Sequence, residues 1–139
     1  MKIYHVLNSN PETELGGTPL VVQNLMKYID SDVKYGRGVG PVKSFIYPFI
    51  LALRLTRNKY DIIHIHDQQG YGYTFLPKFL RKKIVYTSHG VATGYYSAMP
   101  PAGIIQKIKA HMSISMQKRL VKKADYVVAV SDYVRTELI

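Results

Sequence analysis

Four short apolar runs, at residues 2–8, 61–67, 83–88 and 125–130, are separated by stretches long enough to hold helices. Residues 61–67 read Asp-Ile-Ile-His-Ile-His-Asp, a nearly continuous apolar run of the kind that forms a parallel strand covered on both faces. Buried strands alternating with helical stretches are the sequence form of βαβ units. The expected fold class is therefore α/β, a parallel sheet with helices on both faces. Ligands of such sheets gather beyond the carboxyl ends of the strands. The segments on that rim are 8–17, 66–72 and 89–94, together with Ser131.

Between the strands, a helix is expected over 19–29, with Thr18 as N-cap and Pro19 at the first helical position. Residues 32–35 read as a short strand. A helix over 45–57 follows, with Pro48 tolerable in its first turn. A loop at 68–72 leads to a helix over 73–80. After His89 comes a long loop holding Tyr95, Tyr96, Pro100 and Pro101, then a helix over 104–123. Ser131 is placed to cap a last helix that starts at Asp132.

The chain has 139 residues, one domain's worth, and is 47% hydrophobic, which excludes a disordered tract. It has no cysteine, so disulfides and thiolate metal sites are excluded. No signal peptide or membrane-length apolar run is recognisable, and a cytoplasmic location is expected. The net charge is +10. All of that excess lies between Gln68 and Ala124, where no Asp or Glu occurs. Lys107, Lys109, Lys118, Arg119, Lys122 and Lys123 belong to this stretch. They flank an apolar row of Ile104, Ile108, Met112, Met116 and Leu120. Such a surface attracts anions, and the row suits a helix lying on an anionic membrane; an ordinary solvated helix face is the plainer alternative.

Several residues carry chemistry. Gly16 and Gly17 precede a helix N-terminus, where backbone amides can approach a phosphate; a tight strand-to-helix turn needs the same residues. His64 and His66 alternate, so they share one face of a strand. No third metal ligand lies at a telling spacing, and no metal is expected. His89, at the end of Thr87-Ser88-His89-Gly90, stands where it can bond a ligand or serve as a structural histidine. Tyr71, Tyr73, Tyr86, Tyr95 and Tyr96 lie in or near the rim, some available for stacking on a sugar and others for the core. The chain lacks a Walker motif and the dinucleotide Gly-x-Gly-x-x-Gly, which ranks a nicotinamide-binding domain last.

In their order, Leu15-Gly16-Gly17, Asp61 to His66, Thr87 to Gly90 and Ala124 to Ser131 resemble the family 4 glycosyltransferases over nearly the whole chain. The resemblance implies a single Rossmann-like domain, the N-terminal, acceptor-side half of a GT-B fold. It implies that Gly16 and Gly17 lie against the donor's phosphates and that His89 reaches the transferred sugar as the catalytic position. His66 and Asp67 would lie near the acceptor. Thr87, Ser88 and Gly90 belong to the substrate-binding corner, and Ser131 begins the helix lining the cleft. The basic face resembles the membrane-docking surface of members that glycosylate lipids, peripheral on the inner face of the membrane. The expected co-substrate is a nucleotide-sugar, the acceptor a saccharide or a lipid-linked hydroxyl, and no cofactor is required.

Two departures from the family pattern stand out. The family's donor-binding domain carries a Glu-x7-Glu motif. Here the glutamates are Glu12, Glu14 and Glu137, so that domain is expected to be absent from the chain and supplied in cis or in trans. Between Asp30 and Asp61 the family fits two strands, where this sequence has room for one strand and a helix. A competing reading is a non-catalytic basic module that docks on anionic membrane or, less in keeping with the motifs, on nucleic acid.

Overall fold

The computed structural model of the chain describes residues 1–8, 16–35, 41–57, 59–66 and 68–138, with the side chains of 33–35, 41–45 and 69 left aside. The four apolar runs form strands β1 (Ile3–Leu7), β3 (Ile62–Ile65), β4 (Lys83–Ser88) and β5 (Tyr126–Ala129), and the expected short strand is β2 (Ser31–Tyr35). They make one parallel sheet in the order β2-β1-β3-β4-β5. The direction of winding reverses at β1, so a crevice opens between the carboxyl ends of β1 and β3. Among the described residues a single strand occupies the interval between Asp30 and Asp61, as its length requires.

The helices are α1 (Gly17–Met26), α2 (Pro41–Thr56), α3 (Ala92–Ala98), α4 (Ile104–Lys123) and α5 (Asp132–Leu138). One face of the sheet presents Tyr4, Val6, Ile63, Ile65, Ile84 and Tyr86. They pack against Leu51, Ala52 and Leu55 of α2, Leu120 of α4, and Tyr71 and Tyr73. The alternate residues of β1 and β3 face the other way and include His5 and His64, which lie opposite each other in register. Right-handed crossovers on either side of the reversal place α1 and α2 on opposite faces.

Two aspartates hold the amino edge of the sheet. Asp61 Oδ2 accepts the Lys2 backbone N–H at 2.8 Å, and Asp125 Oδ2 accepts that of Ile84 at 2.8 Å. Each satisfies a strand-end donor that the ladder leaves open. The aspartates that open these two runs therefore have a structural role, at the end of the sheet away from the rim.

Four expectations are corrected. Helix α1 starts at Gly17 with Gly16 as N-cap, and Leu20 N–H bonds Gly16 O at 3.1 Å, so Thr18 is inside the helix and not its cap. Pro19 still falls among the first positions, whose N–H groups have no intrahelical acceptor. Helix α2 begins at Pro41, which leaves Pro48 within it and not in its first turn. The helix expected over 73–80 is instead a 3-10 segment Gln68–Phe75 and a short 3-10 turn Lys78–Leu80. The segment is closely packed: Gly70 lies against Ile65 and Gly72 against the Pro48 carbonyl, with no room for a Cβ at either. The long loop after His89 contains α3, whose leading N–H, on Ala92, is accepted by Gln117 Oε1 at 2.7 Å.

Candidate functional site

Parallel strands deliver the residues that follow β1, β3 and β4 to one edge. Asn8, His66 and His89 line a cavity of about 350 Å³ there. Gln68 and Gly90 complete the strand-end side, Tyr95 and Tyr96 of α3 form a wall, and Ser113 and Gln117 of α4 close the back. Gly16 and Gly17 follow the carboxyl end of β1 and so belong to the same edge, with open space around Gly17. Asp67 lies outside the described residues.

The histidines form a connected chain. His89 Nε2 and His66 Nδ1 are 3.2 Å apart, and His66 Nε2 and His5 Nδ1 are 3.0 Å apart. His64 Nε2 pairs with Thr87 Oγ1 at 2.7 Å, and the His64 and His66 rings lie with centroids 4.0 Å apart, tilted by 33°. His5 and His66 are almost completely buried. Burial pushes His5 and His64 down to about 4, with His5 and His89 adding to the effect at His64. It pushes His66 down to about 2, reinforced by His64, His5 and His89. These imidazoles are therefore neutral at pH 7, and each bond between two rings is made by one N–H and one lone pair. The proton on His66 decides whether His89 Nε2 donates or accepts.

The corner after β4 is held from behind by Gln117. Its Nε2 donates to Gly90 O at 2.7 Å and to Ser88 Oγ at 3.1 Å, while its Oε1 accepts from Ala92 N. Ser88 Oγ donates to Gly90 O at 2.8 Å. Thr87 and Ser88 are thus buried supports on either side of the strand, and Gly90 is exposed at the cavity. Gln68 and Ser113 are joined across the cavity wall at 2.7 Å. Ser131 Oγ accepts Val134 N–H at 3.2 Å, capping α5 as expected, and lines a separate depression with Val127 and Arg135.

Sequence reasoning missed His5, Ser113 and Gln117. The signal for the last two was available: they are polar, four apart, and interrupt the apolar side of a helix otherwise clothed in lysine. His5 had no local signal, because its neighbours His64 and His66 come from β3 and the residue just after it.

The basic helix divides. Leu120 is fully buried and Met116 partly so, whereas Ile104, Ile108 and Met112 of the same row are exposed. Lys107, Lys109, Lys118, Lys122 and Lys123 are exposed, but Arg119 turns inward. Its guanidinium lies 3.6 Å above the Phe75 ring and its Nε donates to Thr74 Oγ1 at 2.8 Å. Tyr71, Tyr73 and Tyr86 are core residues, while Tyr95 is exposed at the cavity. No helix among the described residues is long and apolar enough to cross a membrane.

The family model described as Glycosyltransferase Family 4 matches residues 16–139. No curated protein matches the chain.

Proposed function

The chain belongs to glycosyltransferase family 4, and from that premise we propose that it is the acceptor-side domain of a retaining glycosyltransferase. The reaction moves a sugar from a nucleotide-sugar to a hydroxyl of a saccharide or lipid-linked acceptor. A second Rossmann-like domain, in cis or in trans, supplies the remaining donor contacts. His89 meets the transferred sugar, His66 and Asp67 face the acceptor, and the Gly16-Gly17 turn with the α1 N-terminus lies against the diphosphate. Catalysis then rests on positioning and on stabilising the departing diphosphate.

The observation that carries this reading is the His66–His89 pair at 3.2 Å on the wall of the rim cavity. An amide NMR titration of the chain with nucleotide-sugars and free hexoses tests it. We expect millimolar binding, with shifts at Gly90, Val91 and Gly17 that disappear in His89→Ala. Shifts confined to the amino edge of the sheet, or none, would refute the assignment. The chain by itself should turn over little or no sugar-nucleotide, and ready transfer by it would overturn the proposed division of donor contacts.

Exposed Ile104, Ile105 and Ile108 beside Lys107 and Lys109 support a second element. We propose that the amino half of α4 rests on anionic membrane. Co-sedimentation with phosphatidylglycerol vesicles should fall with salt and be abolished by Ile105→Glu/Ile108→Glu. Binding to oligonucleotides with none to vesicles would reverse this reading.

A further inference from the structure

We propose that His5, His64 and His66 form a site for one divalent transition ion of the Zn²⁺ type, directly behind the rim cavity. His64 in β3 and His66, the residue just beyond its end, alternate and so share a face. The third lies on the adjacent strand β1, where His5 is the register partner of His64. One ring nitrogen from each of the three lies within 4.8 Å of the others. A tetrahedral ion bonded at about 2.0–2.1 Å to imidazole needs nitrogens about 3.4 Å apart. The His5 Nδ1 to His66 Nε2 distance of 3.0 Å is already close to that, and the 4.8 Å limit on the other separations leaves at most about 1.4 Å to be closed by side-chain rotation.

The surroundings fit a metal's second shell. A ligating histidine commonly bonds a protein group through its other ring nitrogen, which fixes its tautomer. His64 Nε2 is held by Thr87 Oγ1 and His66 Nδ1 by His89 Nε2. This leaves His64 Nδ1 and His66 Nε2 to coordinate. Burial keeps all three rings in the neutral, ligating form. His5 would coordinate through Nδ1, the nitrogen that faces His66 Nε2, and carry its ring proton on the buried Nε2. Three imidazoles without a carboxylate select zinc, nickel or copper over magnesium or calcium.

An ion here takes the place of the proton between His5 and His66, and each ring keeps its one proton on the other nitrogen, Nε2 of His5 and Nδ1 of His66. The remaining proton on His66 then sits on Nδ1 and is donated to His89 Nε2, so His89 keeps its own proton on Nδ1. The metal would thereby set the tautomer of the rim histidine from one hydrogen bond away, whatever substrate the cavity takes.

The test uses the whole chain stripped with EDTA and then titrated with zinc sulfate alone, followed by calorimetry, elemental analysis and thermal melting. We expect one ion per chain and a Tm raised by roughly 8 °C at a hundredfold excess over Kd. Co²⁺ in place of zinc should give the visible bands of a four-coordinate, nitrogen-rich site, and its paramagnetic broadening should centre on β1 and β3. His64→Gln should weaken binding at least 100-fold, while His111→Gln, on the exposed side of α4, should leave it unchanged. Retention of no zinc, broadening centred on α4, or a folded His64→Gln that binds as tightly as the parent would each overturn the site. If His64→Gln does not fold, the cobalt map on the parent chain decides alone.

Discussion

Lowering the pH from 7.5 to 5 should remove a large share of this protein's stability through three buried rings. In the unfolded chain an imidazole titrates near 6.5, whereas His5 and His64 are pushed down to about 4 and His66 to about 2. Below pH 6.5 the unfolded state therefore binds protons that the folded state refuses. Stability falls as the pH drops, and above about pH 7.5 these groups contribute no slope. At pH 5 the unfolded chain gains about 1.36 kcal/mol per pH unit over about 1.5 units, or roughly 2 kcal/mol per ring. The three together approach 6 kcal/mol, comparable with the whole stability of many domains, about 5–15 kcal/mol. Carboxylates add little in this window, since they titrate mainly below it. Urea unfolding at pH 7.5, 6 and 5, with EDTA to exclude metal, measures the effect. With a slope of about 2 kcal/mol per M, the midpoint should drop by roughly 3 M. A midpoint that moves by less than about 0.5 M, or that rises toward acid, would show that the rings are not held neutral in the folded state.

Other perturbations separate support from surface. Gln117→Leu strips Ala92 N of its partner and leaves Gly90 O and Ser88 Oγ with only their bond to each other. It should cost about 2–4 kcal/mol in urea unfolding and broaden the amide signals of the 88–92 corner. Leu120→Ala should cost about 2–5 kcal/mol, whereas Ile108→Ala, in the same apolar row but exposed, should stay within about 0.5 kcal/mol. Gly72→Ala would drive a methyl into the Pro48 carbonyl. It should lower stability by about 1–3 kcal/mol or more through displacement of α2, read as a shift in Tm.

Legibility in the sequence followed the range of the forces involved. Strand β4 was read to the residue and α4 to its ends, because clear flanks bound each: His89-Gly90 closes the strand and Pro100-Pro101 precedes the helix. Helix α1 began earlier than expected, because the Gly16 backbone serves as cap where a threonine side chain was anticipated. The glycines at 70 and 72 read as a loop, yet they mark close packing against Ile65 and Pro48 within a 3-10 segment. In the site, His66 and His89 were picked out because each follows an apolar run at a strand's carboxyl end.

What the amino-acid order determined by itself was the alternation of strands and helices, and with it a parallel sheet whose rim carries Asn8, His66 and His89. Burial of apolar runs is a local, periodic demand, so it is written locally. Tertiary structure alone decided which residues stand behind that rim. His5 joins His66 across 61 positions and Gln117 reaches Gly90 across 27. Hydrogen bonds of this kind depend on sheet order and helix placement, and no spacing along the chain announces them.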